Sequence, residues 1–317
     1  MDCDTLLKAI DAFLAKEDDN LEDALDKAGF AEPGDTVAAI NSLEDRITDV
    51  LTAQSVYFIN GLSQAVDLEA YAAMLPGLKA SDMTHEKLAE IFLEDFKTNI
   101  PKLANAYIKK IDPQLTVDII TKRVTYWAEE WAEPLSYIME LKTHDTLQKL
   151  LVTHLKEGTS IAEFTQAIMD SGIREERWRA RRVAITESLT AHSFAQQEAI
   201  TQNPAVDEKE WVHTGSHRVA PRENHIAMNG VKVPKGEHFE LLGADGETYQ
   251  PFFPHDPILP PGERVNCHCI HRGVPRDDIL GLSLEERKRL QQEAIDADDG
   301  EWEKELDARN RARAGIE

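Results

Sequence analysis

Asn266-Cys267-His268-Cys269-Ile270-His271 places two thiols two residues apart, with histidines beside them. Thiolate and imidazole are the donors that soft and borderline metals prefer. Cysteines this close rarely form a comfortable disulfide, so the pair reads as two ligands of one ion. On a strand, Cys267, Cys269 and His271 would share one face and His268 would take the other. Upstream, His225 follows Pro221-Arg222-Glu223-Asn224. His225, Cys267 and Cys269 supply three of the four donors of a tetrahedral zinc site. Spacing leaves the fourth open between His213, His217, His255 and His271. The competing reading has the cysteines as small buried thiols and the histidines bound to loop carbonyls.

A second group of residues is basic. Arg174, Arg177 and Arg181 fall within about 60° of one helix face at 3.6 residues per turn. They are candidates for contact with nucleic acid or a partner. Pairing with Glu175, Glu176 or the acidic N-terminal third is the plainer alternative. Glu187, on the opposite side of that helix, suits a general base, a group that orients a metal ligand, or the anchor of a buried arginine such as Arg222. The anchor is preferred. G-x-S-x-G, H-E-x-x-H, P-loop and G-x-G-x-x-G patterns are absent, so no catalytic residue is assigned.

Two kinds of chain must position these groups. Residues 1 to about 203 read as helical. Val37, Ile40, Leu43, Ile47 and Val50 recur at 3–4 spacing, as do Leu88, Ile91 and Phe92. Residues 115–142 predict a long helix that Pro134 kinks or breaks. Ser160-Ile161-Ala162-Glu163 is a capping box, Gly172 ends the helix it opens, and Arg174 to about Thr201 forms another. Residues 204–275 hold nine of the 14 prolines and seven of the 11 histidines and read as short strands and loops. Strands are expected at Glu208–Thr214 and Val265–Val274. Asn229-Gly230 predicts a hairpin, and Phe239–Leu242 and Thr248–Phe253 flank a glycine turn. Trp211, Phe239, Phe252 and Phe253 read as the core of a small sheet. Ser283-Leu284-Glu285-Glu286 opens a last helix in a charged tail. The fold class is α+β, with a helical region 1–140, a helical part 141–203, a β/loop part 204–275 and a tail 276–317. Deletion of residues 1–140 is expected to leave a soluble remainder.

The chain has 317 residues, 58 acidic and 35 basic, for a formal charge of −23. Broad DNA coating is disfavoured, because phosphate repels such a chain on average. No apolar run approaches the roughly 18 residues that span a bilayer, and acids stand where a signal peptide carries bases. Three cysteines make no disulfide framework. These features suit a soluble protein of a reducing compartment.

The order of motifs is informative in itself. Gly158-Thr159-Ser160-Ile161-Ala162-Glu163 precedes Arg181-Arg182-Val183-Ala184-Ile185-Thr186-Glu187. Trp211 follows, then Pro221-Arg222 with His225 and Gly230, the Pro254–Pro261 loop, and Asn266-Cys267-His268-Cys269. This series resembles the C-terminal domain of the phage Mu F-like minor head proteins, also called phage head morphogenesis proteins, over about residues 145–275. His268 stands where the family has arginine. Some relatives carry Cys-x-x-Cys where Arg222–His225 stands, and only His225 matches a ligand there. The resemblance implies a minor capsid component in head morphogenesis, inside the procapsid near the portal, assisting DNA packaging or ejection. It implies the phage portal protein as partner, with scaffold or major capsid protein and local contact with packaged DNA, and no membrane. It places the chain in the virion head interior after synthesis in the bacterial host cytoplasm. A zinc- or His/Cys-dependent hydrolase is the alternative from another class, and a free DNA-binding regulator is disfavoured by the net charge.

Overall fold

The computed structural model describes residues 21–118, 122–214, 222–265 and 267–297. It is an α+β chain, with long helices first and a small antiparallel sheet after them. Residues 21–28 are helical. The helices α1 (Pro33–Ser63), α2 (Leu68–Ala80), α3 (Thr84–Ile111), α4 (Lys122–Glu157) and α5 (Ile161–Gln202) follow. The chain divides into two compact units, each assembled from separated segments.

The helical unit combines residues Ser42–Lys97 and Tyr126–Ala184. Its core gathers Phe58 and Leu62 of α1, Leu68, Tyr71 and Leu75 of α2, Leu147 and Leu151 of α4, and Phe164 and Ile168 of α5. The 3–4 spacing of these apolar positions puts each set on one helix face. The capping box forms as the sequence predicts. Ser160 N–H donates to Glu163 Oε2 at 2.7 Å and Glu163 N–H to Ser160 Oγ at 3.2 Å. Gly158 adopts φ +63°, the left-handed conformation that ends α4 without a Cβ clash. Pro134 lies inside α4, and Gly172 lies inside the unbroken 42-residue α5. The helices run on through both points, so Gly172 ends no helix and Pro134, expected to kink or break one, does not break it. A single Gly costs only about 1 kcal/mol in a helix interior, and tertiary packing outweighs it.

The sheet unit combines the segment ending at Asn41, Thr98–Thr125 and the described residues from Ile185 on. Strand β1 (Val206–Val212) is central, with β2 (Lys232–Pro234) on one side and β5 (Ile270–Pro275) on the other, both antiparallel. A two-residue pair, β3 (Leu241–Leu242) and β4 (Thr248–Tyr249), forms the expected glycine-turn hairpin. Short helices α6 (Glu223–Ala227) and α7 (Pro261–Arg264) connect the strands, α8 (Asp277–Leu280) follows the last of them, and α9 (Leu284–Asp296) follows a Ser283 cap. Asn229-Gly230 does not join two strands. The residues before it coil into α6, and Gly230, at φ +83°, turns the chain into β2, which pairs with β1. The last strand begins at Ile270 rather than Val265, because Pro260-Pro261 start α7 and the backbone after it bonds outside the ladder.

Residues Thr186–Ile200 of α5 are buried on every side. This stretch is rich in polar side chains, and its partners lie in the same unit. Glu187 pairs with Arg264, Ser193 meets His255, and Gln197 donates to the Lys235 carbonyl. Ala191, Ala195 and Ala199 are among its buried small residues, which permit close approach of neighbouring segments. Among the described residues, no helix is long and apolar enough to cross a membrane.

Candidate metal centre

His225, Cys267 and Cys269 meet. Their donor atoms all lie within 4.8 Å of one another, and all three residues are buried. Cys267 Sγ is 3.5 Å and Cys269 Sγ 3.6 Å from His225 Nδ1. His225 sits on α6, and the cysteines lie between α7 and β5. Both sulfurs pack into the sheet-unit core with Trp211, Met228, Phe239, Leu241 and Leu259.

The backbone of Cys267 is gripped from both sides. Its N–H donates to the Arg264 carbonyl at 3.1 Å, and its carbonyl accepts from His255 Nε2 at 2.6 Å. A carbonyl only accepts, so His255 carries its proton on Nε2, and Nδ1 accepts from Ser193 Oγ at 3.2 Å. Arg264 is itself held by Glu187 at 3.1 Å, Thr190 at 3.0 Å and the His255 carbonyl at 3.1 Å. Glu187 therefore anchors a buried arginine, as expected, but that arginine is Arg264 and not Arg222. Arg222 donates to the Val265 carbonyl.

His225 is oriented by a carboxylate. Its Nε2 lies 2.8 Å from Glu263 Oε2, which fixes the proton there and turns the Nδ1 lone pair to the sulfurs. Glu263 also accepts from Ala244 N–H at 2.8 Å and Asn224 Nδ2 at 3.1 Å. Burial works against its charge, but these donors together with His225 hold its pKa below the ordinary value. Burial likewise opposes a charged His225, and the Cys267 sulfur and Glu263 outweigh it and raise the pKa. The two thiols diverge. Their mutual hydrogen bond drives Cys267 well below its ordinary pKa and Cys269 above it, so one negative charge serves both sulfurs. The Cys269 N–H points at Cys267 Sγ, 3.4 Å away. The Trp211 indole nitrogen has no oxygen or nitrogen partner and favours the anionic form of Cys269.

The four candidates for a further ligand separate. His213, just after β1, has its Nδ1 3.5 Å from Cys269 Sγ. His255 has both nitrogens engaged. His271 is buried and stacks on Phe253 at 5.9 Å, outside the donor cluster. His217 lies outside the described residues. In the helical unit, Arg181 is buried, with its NH1 2.9 Å from Glu44 Oε2. Arg177 is half-exposed and lies 3.5 Å from the same carboxyl group. The side chain of Arg174 lies outside the described residues. Spacing on the helix thus brings Arg177 and Arg181 to one acidic residue of α1. Sequence reasoning missed Glu263 and Arg264, and took His255 as a candidate ligand rather than as the donor to the Cys267 carbonyl. The signal was an adjacent acid and base, Glu263-Arg264, locked behind two prolines and just ahead of the cysteines.

The phage Mu protein F-like family model matches residues 145–272, from within α4 to within β5, and so encloses this centre. Uncharacterized protein YqbB of Bacillus subtilis (strain 168) is 33% identical over 301 residues, covering 92% of this chain and 97% of that protein. The chain belongs to the phage Mu protein F-like family. The Mu F-like match starts before the capping box at Ser160 and ends just past His271, so its edges are those of the motif series in the sequence. No solved structure matches the chain.

Proposed function

We propose that this Mu F-like chain is a minor head protein of a tailed phage, working beside the portal during head morphogenesis and assisting DNA packaging or ejection. The observation that carries the reading is the family match over residues 145–272, which takes in both the buried strut of α5 and the His/Cys centre. Family membership supports interaction with other phage head proteins. The portal is the partner of choice, with scaffold or major capsid protein next to it inside the head. A formal charge of −23 suits contact with basic protein surfaces better than wrapping of DNA. Burial of His225, Cys267 and Cys269 favours a structural over a hydrolytic role, since a catalytic metal keeps an open position for water.

The test is made in the phage or prophage that encodes the chain. Its open reading frame is interrupted, and procapsids and mature particles are purified and examined by electron microscopy and mass spectrometry. The expected result is a few copies of the chain per wild-type head, copurifying with portal, and defective or DNA-poor heads without it. Normal infectious particles in the mutant, with the chain absent from wild-type heads, would sink the reading.

A further inference from the structure

We propose that His213, His225, Cys267 and Cys269 hold one divalent ion of the zinc class in a closed tetrahedral site that fastens the sheet unit and performs no chemistry. Geometry carries this. With metal–sulfur bonds of about 2.3 Å and metal–nitrogen bonds of about 2.0–2.1 Å, tetrahedral angles separate a sulfur from a nitrogen by about 3.6 Å. Three of the four sulfur–nitrogen edges of such a site, at 3.5, 3.6 and 3.5 Å, meet that spacing, and His213, which stands beside the compact set of His225, Cys267 and Cys269, would close in to complete it. Two thiolates and two neutral imidazoles balance a divalent charge, and two sulfur donors select the zinc class over magnesium or calcium.

The surroundings are those of a ligand set held in place. Glu263 accepts from His225 Nε2, the carboxylate–histidine arrangement that orients metal-bound imidazoles. The Cys269 N–H and the Trp211 indole each face one sulfur. His213 is tied to the same place, since its backbone N–H donates to Asn229 Oδ1 at 2.9 Å. Thr214, the next residue, donates to the His268 carbonyl at 2.8 Å. The ligands come from the end of β1, from α6 and from the approach to β5. One ion would therefore link three segments of a region whose hairpin strands are only two residues long. Small regions with little regular structure need such a staple. This inference stands apart from the head-assembly reading. A chain that binds zinc yet is missing from heads would overturn only the latter.

The experiment uses the full chain, purified without a polyhistidine tag, and reads metal content and the visible spectrum after cobalt(II) exchange. About one zinc per chain is expected, with the intense visible bands of tetrahedral cobalt and a thiolate-to-cobalt charge-transfer band. Glu263→Gln, which keeps the fold's packing, should weaken zinc binding at least about tenfold. His213→Ala should weaken it at least as much and change the cobalt spectrum. Cys267→Ser with Cys269→Ser should abolish it. A folded wild-type chain that takes up no zinc or cobalt, with both thiols open to thiol reagents, would overturn the site. Weak, octahedral-type cobalt bands would overturn it as well. Wild-type affinity and spectrum in His213→Ala would overturn the assignment of the fourth ligand.

Discussion

His192 is the most deeply committed titratable group of α5. Thr36 gives its hydroxyl proton to the Glu32 carbonyl, so His192 Nε2 donates to Thr36 Oγ1 at 2.8 Å, and Nδ1 takes the Tyr107 hydroxyl at 2.9 Å. Burial, aided by the neighbouring His255 and Lys110, pushes its pKa down to about 3. The unfolded chain therefore takes the proton first. The stabilisation is complete above pH ~6.5 and drains as pH falls toward 3, amounting to about 2 kcal/mol by pH 5. Thermal unfolding between pH 7 and 5 should show this loss, and His192→Gln should flatten it. An unchanged slope in the variant would refute the assignment. His271 makes the opposite case. Both ring nitrogens are buried without a hydrogen-bond partner while the ring stacks on Phe253. His271→Phe should raise stability by about 1 kcal/mol, because it removes two unsatisfied polar atoms and keeps a flat ring. A lower melting temperature would count against this. The meeting of His225, Cys267 and Cys269 was legible because their donor types and spacing suit one another. Glu263 was not, nor was the role of His255 as donor to the Cys267 carbonyl, because a carboxylate or an imidazole acquires its role only from what the fold sets against it.

At the scale of elements, α9 shows what polar anchoring does for a short, highly charged helix. Arg287 forms a buried ion pair with Asp112, just past the end of α3, and Gln291 Nε2 donates to the Thr116 carbonyl at 2.8 Å. Arg287→Ala leaves Asp112 buried and uncompensated, a loss of about 3–5 kcal/mol. Limited proteolysis should then cut within or beside α9 first, and equal protection in the variant would refute the anchoring. Helix periodicity and capping boxes made the long helices readable, as Ser160 and Ser283 show. Asn229-Gly230 misled, since a hairpin signal and a helix-terminating turn use the same left-handed glycine. The polar stretch Thr186–Ile200 was readable as a helix but not as a buried one. Its partners, such as Arg264 and Lys235, arrive from far along the chain.

At the scale of the whole molecule, neither unit is continuous in sequence. Removal of residues 1–140 takes Thr36 and Tyr107 from His192 and Asp112 from Arg287. The remainder should aggregate when expressed alone, contrary to what the sequence suggests. A soluble, cooperatively unfolding product of that deletion would refute this. The same interleaving sets an order of events on the ribosome. The described segments of the helical unit, Ser42–Lys97 and Tyr126–Ala184, have all been made once α5 is half synthesised. The sheet unit cannot close until Ile270–Pro275 has emerged to pair with β1. At about 5–20 residues per second, Thr36 and Tyr107 wait several seconds or more for their partners. During nascent-chain growth, the segment before Asn41 is therefore the part most in need of a chaperone.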